Sequence, residues 1–193
     1  MPRQKAFDQE AVLEKAMQVF WQKGYEATSV QDLVEAMGIN RGSLYDTFCD
    51  KRQLFLSAIA HYTSTFIQQA VDRLQAPGAA RQAIFDYFET LVQCIEDASP
   101  CQGCLMTNTI IEFSPHDPEV ANHLKQTLLK LEDAFYTALV RAKDRGEIPH
   151  DAQLRTLARY LTASVQGLQV ISKVDPDPHS LRDIVKTILT VLG

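Results

Sequence analysis

The residues of this chain with the most reactive side chains are its four cysteines. Cys101-Gln102-Gly103-Cys104 forms a CxxC run, with Cys94 one helix upstream. Such a pair can hold zinc, but a zinc site wants four ligands, and no second CxxC or closely spaced histidine pair follows. Cys94, Cys101, Cys104 and His116 or His123 would have to converge from separate elements, so no metal is expected. Redox or electrophile sensing is the better functional reading. A thiol near a helix N-terminus has its thiolate stabilised by free backbone amides, which raises its reactivity. The plainer reading is that Cys104 is a small core residue, as buried cysteine commonly is. An enzyme has little to work with here: there is no Gly-rich phosphate loop, no HExxH, and no Ser or Cys with an evident base. Glu112 and the carboxylates of 117–119 read as helix caps before catalysts, and no cofactor is called for.

The stretch that organises the rest is Thr28–Phe48, TSVQDLVEAMGINRGSLYDTF. Thr28-Ser29-Val30-Gln31 fits a capping box, with Thr28 and Gln31 satisfying the free amides of a helix start. Val30, Leu33, Val34 and Met37 then recur with the spacing of one buried helix face. Gly38 stops that helix through a left-handed backbone conformation that residues with a Cβ resist. After Ile39 and Asn40 a second helix runs from about Arg41 to Phe48. Leu44 and Phe48 share its inward face, Gly42, Ser43 and Asp46 fall opposite, and Arg41 and Tyr45 take the flanks. A slim polar face of this kind fits a DNA major groove, where short side chains read base edges. The arrangement is a helix-turn-helix.

Gly24–Phe55 resembles the DNA-binding domain of the TetR (tetracycline repressor) family of bacterial regulators. The resemblance rests on Gly24-Tyr25, Thr28-Ser29-Val30, Leu33, Ala36, Gly38, Gly42-Ser43-Leu44-Tyr45, Phe48, Lys51 and Leu54-Phe55. It implies an operator-binding regulator acting on double-stranded DNA as a homodimer. Gly42, Ser43, Asp46 and Thr47 are then expected nearest the bases, with Asn40 in the preceding turn. Thr28, Ser29, Arg41, Tyr45 and Lys51 are expected to hold phosphates. Two positions depart from the pattern: an acidic Asp46, where family members often carry an aromatic or neutral residue, and Cys49, where Gly or a polar residue is usual. Both are expected to change which operator is read. Gly103–Thr109 also resembles a segment of one branch of the family, some of whose members sense reactive electrophiles.

Composition agrees with a globular protein, 46% apolar and 22% charged. No run of about 18 apolar residues is present, so nothing spans a membrane. The N-terminus lacks the apolar core of a signal peptide, and a cytoplasmic location with reduced cysteines is expected. Net charge is −5. A non-specific nucleic-acid binder would be strongly basic, so binding must rest on a few placed cations, helix-start amides and two reading heads acting together. Arg3, Lys5, Arg41, Lys51 and Arg52 occupy positions expected near DNA, and residues 1–7 read as an arm toward a phosphate or minor groove.

Helical periodicity runs the whole length, and an all-α fold of about nine helices is expected. Residues 1–50 would form a three-helix DNA-binding domain, with the helix-turn-helix at about 29–48, and residues 51–193 an effector-binding and dimerisation domain. Asp8 caps the first helix and Asp50 the fourth, which should run unbroken to Ala76-Pro77-Gly78. Cys104–Phe113 makes a short helix, Asp117 caps a long one, and Asp151 starts an eighth. An unidentified small-molecule effector is expected among helices four to seven, lined by Phe66, Tyr87, Phe88, Cys94, Cys104, Met106, Phe113 and Phe135. Leu161, Val165 and Leu168, with Leu181, Ile184, Val185 and Ile188, suggest a two-helix surface that pairs with its twin as a four-helix bundle; otherwise the stripe is core. The alternatives to an effector-released repressor are a cysteine-based redox or metal sensor of the same fold, and a protein-interaction module or enzyme without DNA binding.

Overall fold

The computed structural model describes residues 7–97, 102–113 and 117–193, and the regular structure in them is helical. Arg3, Lys5, Cys101 and His116 lie outside the described residues. The head consists of α1 (Gln9–Lys23), α2 (Val30–Met37) and α3 (Arg41–Phe48). Asp8 caps α1 by accepting from the Glu10 and Ala11 amides, as expected. The cap of α2 falls one residue later than expected. Ser29 takes the position and forms a capping box with Asp32, while Thr28 is 1% exposed and donates its hydroxyl to the Gly24 carbonyl at 2.6 Å. Asp32 can serve because it reaches the Ser29 amide at 2.8 Å and also pairs with Lys23 of α1 at 2.6 Å. Gly38 ends α2 in the left-handed conformation.

A rod leaves the head. It begins as α4 (Lys51–Tyr62), capped by Asp50, and ends as α5 (Gln68–Gln75). Between them Thr63–Ile67 winds as a π-helical turn, so the rod is interrupted where an unbroken helix was expected. Thr63-Ser64-Thr65 explains the weakness: short hydroxyl side chains compete for the helix's own carbonyls, and Ser64 Oγ takes the His61 carbonyl at 2.9 Å. Beyond it lie α6 (Arg81–Asp97), α7 (Leu105–Glu112), α8 (Pro118–Asp144), α9 (Leu154–Ile171) and α10 (Pro178–Leu189). Counting α4 and α5 as one rod, the described residues form nine helical segments of this kind. Asp117 caps α8 with Pro118 at its first position, and Asp177 with Pro178 does the same for α10. Asp151 caps nothing; α9 starts later, at Leu154, after a turn in which the Ala152 amide donates to the Pro149 carbonyl.

Two hydrophobic cores result. One joins the inner faces of α1 to α4 with Cys104, Leu105 and Met106 of the α7 start and Val120 and Leu124 of α8. The other fills the space among α5, α6, α8, α9 and α10. Leu161, Val165, Leu168, Leu181, Val185 and Ile188 are buried in this second core, and Ile184 packs against it half-buried. These side chains close the protomer on itself and have little surface to give a partner. The exposed side of α9 carries Tyr160, Gly167, Val170 and Ile171 instead, followed by Val174 at 87% exposure.

Candidate nucleic-acid interface and effector cavity

The outer face of α3 is built by what its inner face buries. Leu44 and Phe48 fix the helix against the core, at 0% and 5% exposure. Arg41, Gly42, Tyr45 and Asp46 are then exposed, with Ser43 and Thr47 half-buried beside them. Asn40 caps the helix, its Oδ1 accepting from the Ser43 amide at 2.9 Å. A Cβ on Gly42 would approach that oxygen to 3.2 Å, so the glycine keeps the cap close. Cys49 ends α3 with φ +67°, the one described non-glycine residue in that region, and the Asp50 amide turns back to the Phe48 carbonyl at 2.8 Å. A residue with a Cβ is strained there. That tight turn sets Asp50 over the start of α4, where Lys51 lies 4.2 Å above the Tyr25 ring. Ser29 is exposed. Thr28 is not, and its committed hydroxyl cannot reach a phosphate. Arg52 is likewise turned inward, holding Asp117 and Glu119 of α8 at 2.7 Å each; this pairing holds the Asp117 carboxyl below its ordinary pKa.

Among the described residues, polar clasps at three places tie the head and the first turn of α4 to α7, α8 and the segments that lead into them. The Arg52 pair is the first. At the second, the Glu112 carboxylate, at the end of α7, accepts from the Tyr25 and Glu26 amides at 3.1 and 2.9 Å. Gly24 makes room for it: a Cβ there would stand 2.9 Å from the carboxylate, and its φ is +79°. Phe113 follows, wedged against Tyr25 and Phe55 with ring centroids 4.6 and 5.3 Å away. The third is at the other end of α7, where the Trp21 indole N–H donates to the Gly103 carbonyl at 3.0 Å.

A cavity of about 740 Å³ opens between the rod, α6, α7 and α9. Of the residues expected to line it, Phe66, Tyr87, Cys94, Cys104 and Met106 do. Phe88 and Phe135 are fully buried core partners behind Tyr87, and Phe113 belongs to the junction with the head. The wall also holds Trp21, Tyr62 and Gln166, which are not among the residues expected to line it, although Tyr62 shares the periodic stripe of Phe66. Cys104 is buried at the start of α7, and the Tyr62 hydroxyl donates to its Sγ at 3.3 Å. Burial first, and the neighbouring Cys104 second, push the Tyr62 and Tyr87 phenols far up, so both stay neutral donors. Cys94 is exposed. Among the described residues no cluster of His, Cys, Asp or Glu could hold a metal, and no helix is long and apolar enough to cross a membrane.

A slim recognition helix on a three-helix head, joined by a rod to a helical body with a cavity, defines a helix-turn-helix transcriptional regulator. The chain belongs to the tetR family of bacterial regulatory proteins: that family's model matches residues 12–58, and a tetracycline repressor-like C-terminal domain model matches 78–188. It is 45% identical to the uncharacterized HTH-type transcriptional regulator YezE of Bacillus subtilis, over 100% of both chains. It is 34% identical to the HTH-type transcriptional repressor ComR of Escherichia coli, over 97% of this chain and 90% of that one. Among solved structures it is similar to a cysteine mutant of the TetR family regulator CifR complexed with 26-bp operator DNA, with a TM-score of 0.86, 27% identity, and coverage of 99% and 100%.

Proposed function

We propose that this regulator is a repressor that binds a palindromic operator as a homodimer and is released when a small molecule fills its cavity. The observation that carries the DNA half of the reading is the outer face of α3: exposed and mostly small and polar, with Tyr45 at its flank as the one bulky ring. Gly42, Ser43, Asp46 and Thr47 face the bases, and Asp46 accepts a hydrogen bond from a cytosine N4 amine. Ser29, Arg41, Tyr45 and Lys51 hold phosphates, while Asn40 keeps α3 capped and aimed. The partner docks on the outer side of α9, at Tyr160, Gly167, Val170, Ile171 and Val174, and two-fold symmetry makes the operator palindromic. An effector favours a dimer state whose two recognition helices no longer fit one face of DNA.

A gel shift with duplexes from upstream of the coding sequence tests the class. Arg41→Ala and Tyr45→Ala are expected to weaken binding uniformly across sequences, the mark of phosphate contacts. Failure of the folded dimer to bind any such duplex at low salt would overturn the reading. The cavity half is tested by Ala70→Phe, which fills the space from the α5 wall. It is expected to lower operator affinity; unchanged affinity counts against an effector role.

Thiol sensing at Cys104 is the second reading, favoured by its place in the cavity wall against the Tyr62 hydroxyl. Operator release by a quinone that is identical in Cys104→Ser would end it.

A further inference from the structure

The aromatic end of the cavity is shared between the two functional units. Trp21 lies on α1, the first helix of the head, whereas Tyr62 and Phe66 lie on the rod that leaves it. The indole meets Tyr62 edge-on with centroids 5.1 Å apart and Phe66 at 5.8 Å, and Tyr62 and Phe66 stack at 5.0 Å. The Gly103 carbonyl that fixes the indole belongs to a residue that itself lines the cavity. Phe66 remains 42% exposed there, an aromatic surface without a full set of neighbours.

The rest of the wall limits what can lie against those rings. Among the described lining residues, Arg73 and Asp86 alone carry charge; they are opposite in sign, and both are exposed. An anion or cation drawn inside would shed its hydration without a buried counter-charge, which is strongly unfavourable. Hydrogen-bonding groups are present. Gln166 lines the cavity and accepts from the Thr107 hydroxyl at 2.7 Å through Oε1, a bond that does not use its amide protons. Tyr87 lines the same wall, and its buried phenol stays neutral.

We propose that Trp21 is an effector-contacting residue, and that the effector is an uncharged planar aromatic molecule bearing a hydroxyl or carbonyl oxygen. Its ring lies against Trp21, Tyr62 and Phe66, and its oxygen accepts from Tyr87 or Gln166. Occupancy then acts on the head at first hand. A ring pressed on Trp21 pushes the last turn of α1, which leads directly into the Tyr25–Glu26 turn held by Glu112, without having to travel along the rod. This inference rests on the effector reading of the cavity given above.

Trp21 is the single tryptophan of the chain, so its emission reports this contact alone. The full-length protein is titrated at pH 7 with 4-iodophenol, which is uncharged, and with 4-iodobenzoate, its anionic counterpart; thermal melting is followed in parallel. The heavy iodine quenches only at close range. Saturable quenching and a raised Tm are expected with 4-iodophenol, and only linear collisional quenching with 4-iodobenzoate. Trp21→Phe keeps a ring in the wall but loses the bond to Gly103, and is expected to weaken 4-iodophenol about threefold to tenfold by calorimetry. A saturable Tm shift with no change in Trp21 emission would overturn the contact while leaving the cavity as the effector site. Equal binding of 4-iodobenzoate would overturn the uncharged class, and no saturable binding of 4-iodophenol at millimolar concentration would overturn the aromatic one. Saturable quenching that leaves operator affinity untouched would support the contact and defeat the regulatory reading instead.

Discussion

The two hydrophobic cores differ in what they enclose. The core of α1 to α4 is filled, and four aromatic rings, Phe20, Tyr25, Phe55 and Phe113, knit it to the end of α7. The core of the body is filled around Phe88 and Phe135 but stops at Tyr87, where the cavity begins. Yet the cavity wall at Cys104 and Met106 belongs to the first core, not the second. The packing therefore divides the chain differently from a cut at residue 50: α7, in the middle of the sequence, is part of the head by its contacts and part of the sensor by its position. A regulator built this way has its sensing surface inside the core that must stay rigid to read DNA.

Breaking that shared core should have the largest effect. Phe55→Ala is expected to cost about 3–5 kcal/mol in denaturant unfolding and to abolish operator binding with it. If it melted the body before the head, the two cores would be less closely coupled than their packing indicates. Glu112→Gln keeps the shape but removes the charge that holds two backbone amides, and should cost about 1–2 kcal/mol by the same measurement. It should also raise amide hydrogen exchange at Tyr25 and Glu26 selectively; uniform exchange would show that the clasp is not local. Ser29→Ala removes the α2 cap and is expected to cost about 1 kcal/mol, whereas Thr28→Ser should be milder because the bond to Gly24 survives. The smallest effect is on pH dependence. Asp117 has its pKa lowered, chiefly by Arg52, so its contribution is present above the ordinary Asp range and is lost as pH falls below it. An acid titration of Tm should therefore flatten at its low-pH end in Arg52→Met; an unchanged profile would remove the pair from the set of junction contacts.

The head was largely legible in the sequence because its determinants are local. Asp8, Gly38 and Asp50 act within a turn of where they stand, and the spacing of Leu33, Val34, Leu44 and Phe48 gives both the buried face and, by subtraction, the exposed one. The capping box slipped by one because Thr28 and Ser29 are chemically equivalent caps, and only the burial of Thr28 separates them. The body was less legible. The stripe Leu161, Val165, Leu168 looks the same whether it closes a protomer or meets a twin, since periodicity records that a face is buried and not by what. Trp21 stands on the flank of the α1 stripe, and nothing nearby signals a carbonyl 82 positions away. The π-helical turn has a local sign in the sequence, the three consecutive hydroxyl residues Thr63-Ser64-Thr65.

The grip of Glu112 falls on peptide N–H groups rather than on side chains. Any residue but proline at positions 25 and 26 presents the same pair of donors, so this clasp, unlike the packing of the Tyr25 ring on Phe113, does not depend on the side chains of the segment it holds. Recognition residues can then diversify toward new operators while the chain goes on answering the same signal, with Gly24 as the fixed toll of that freedom.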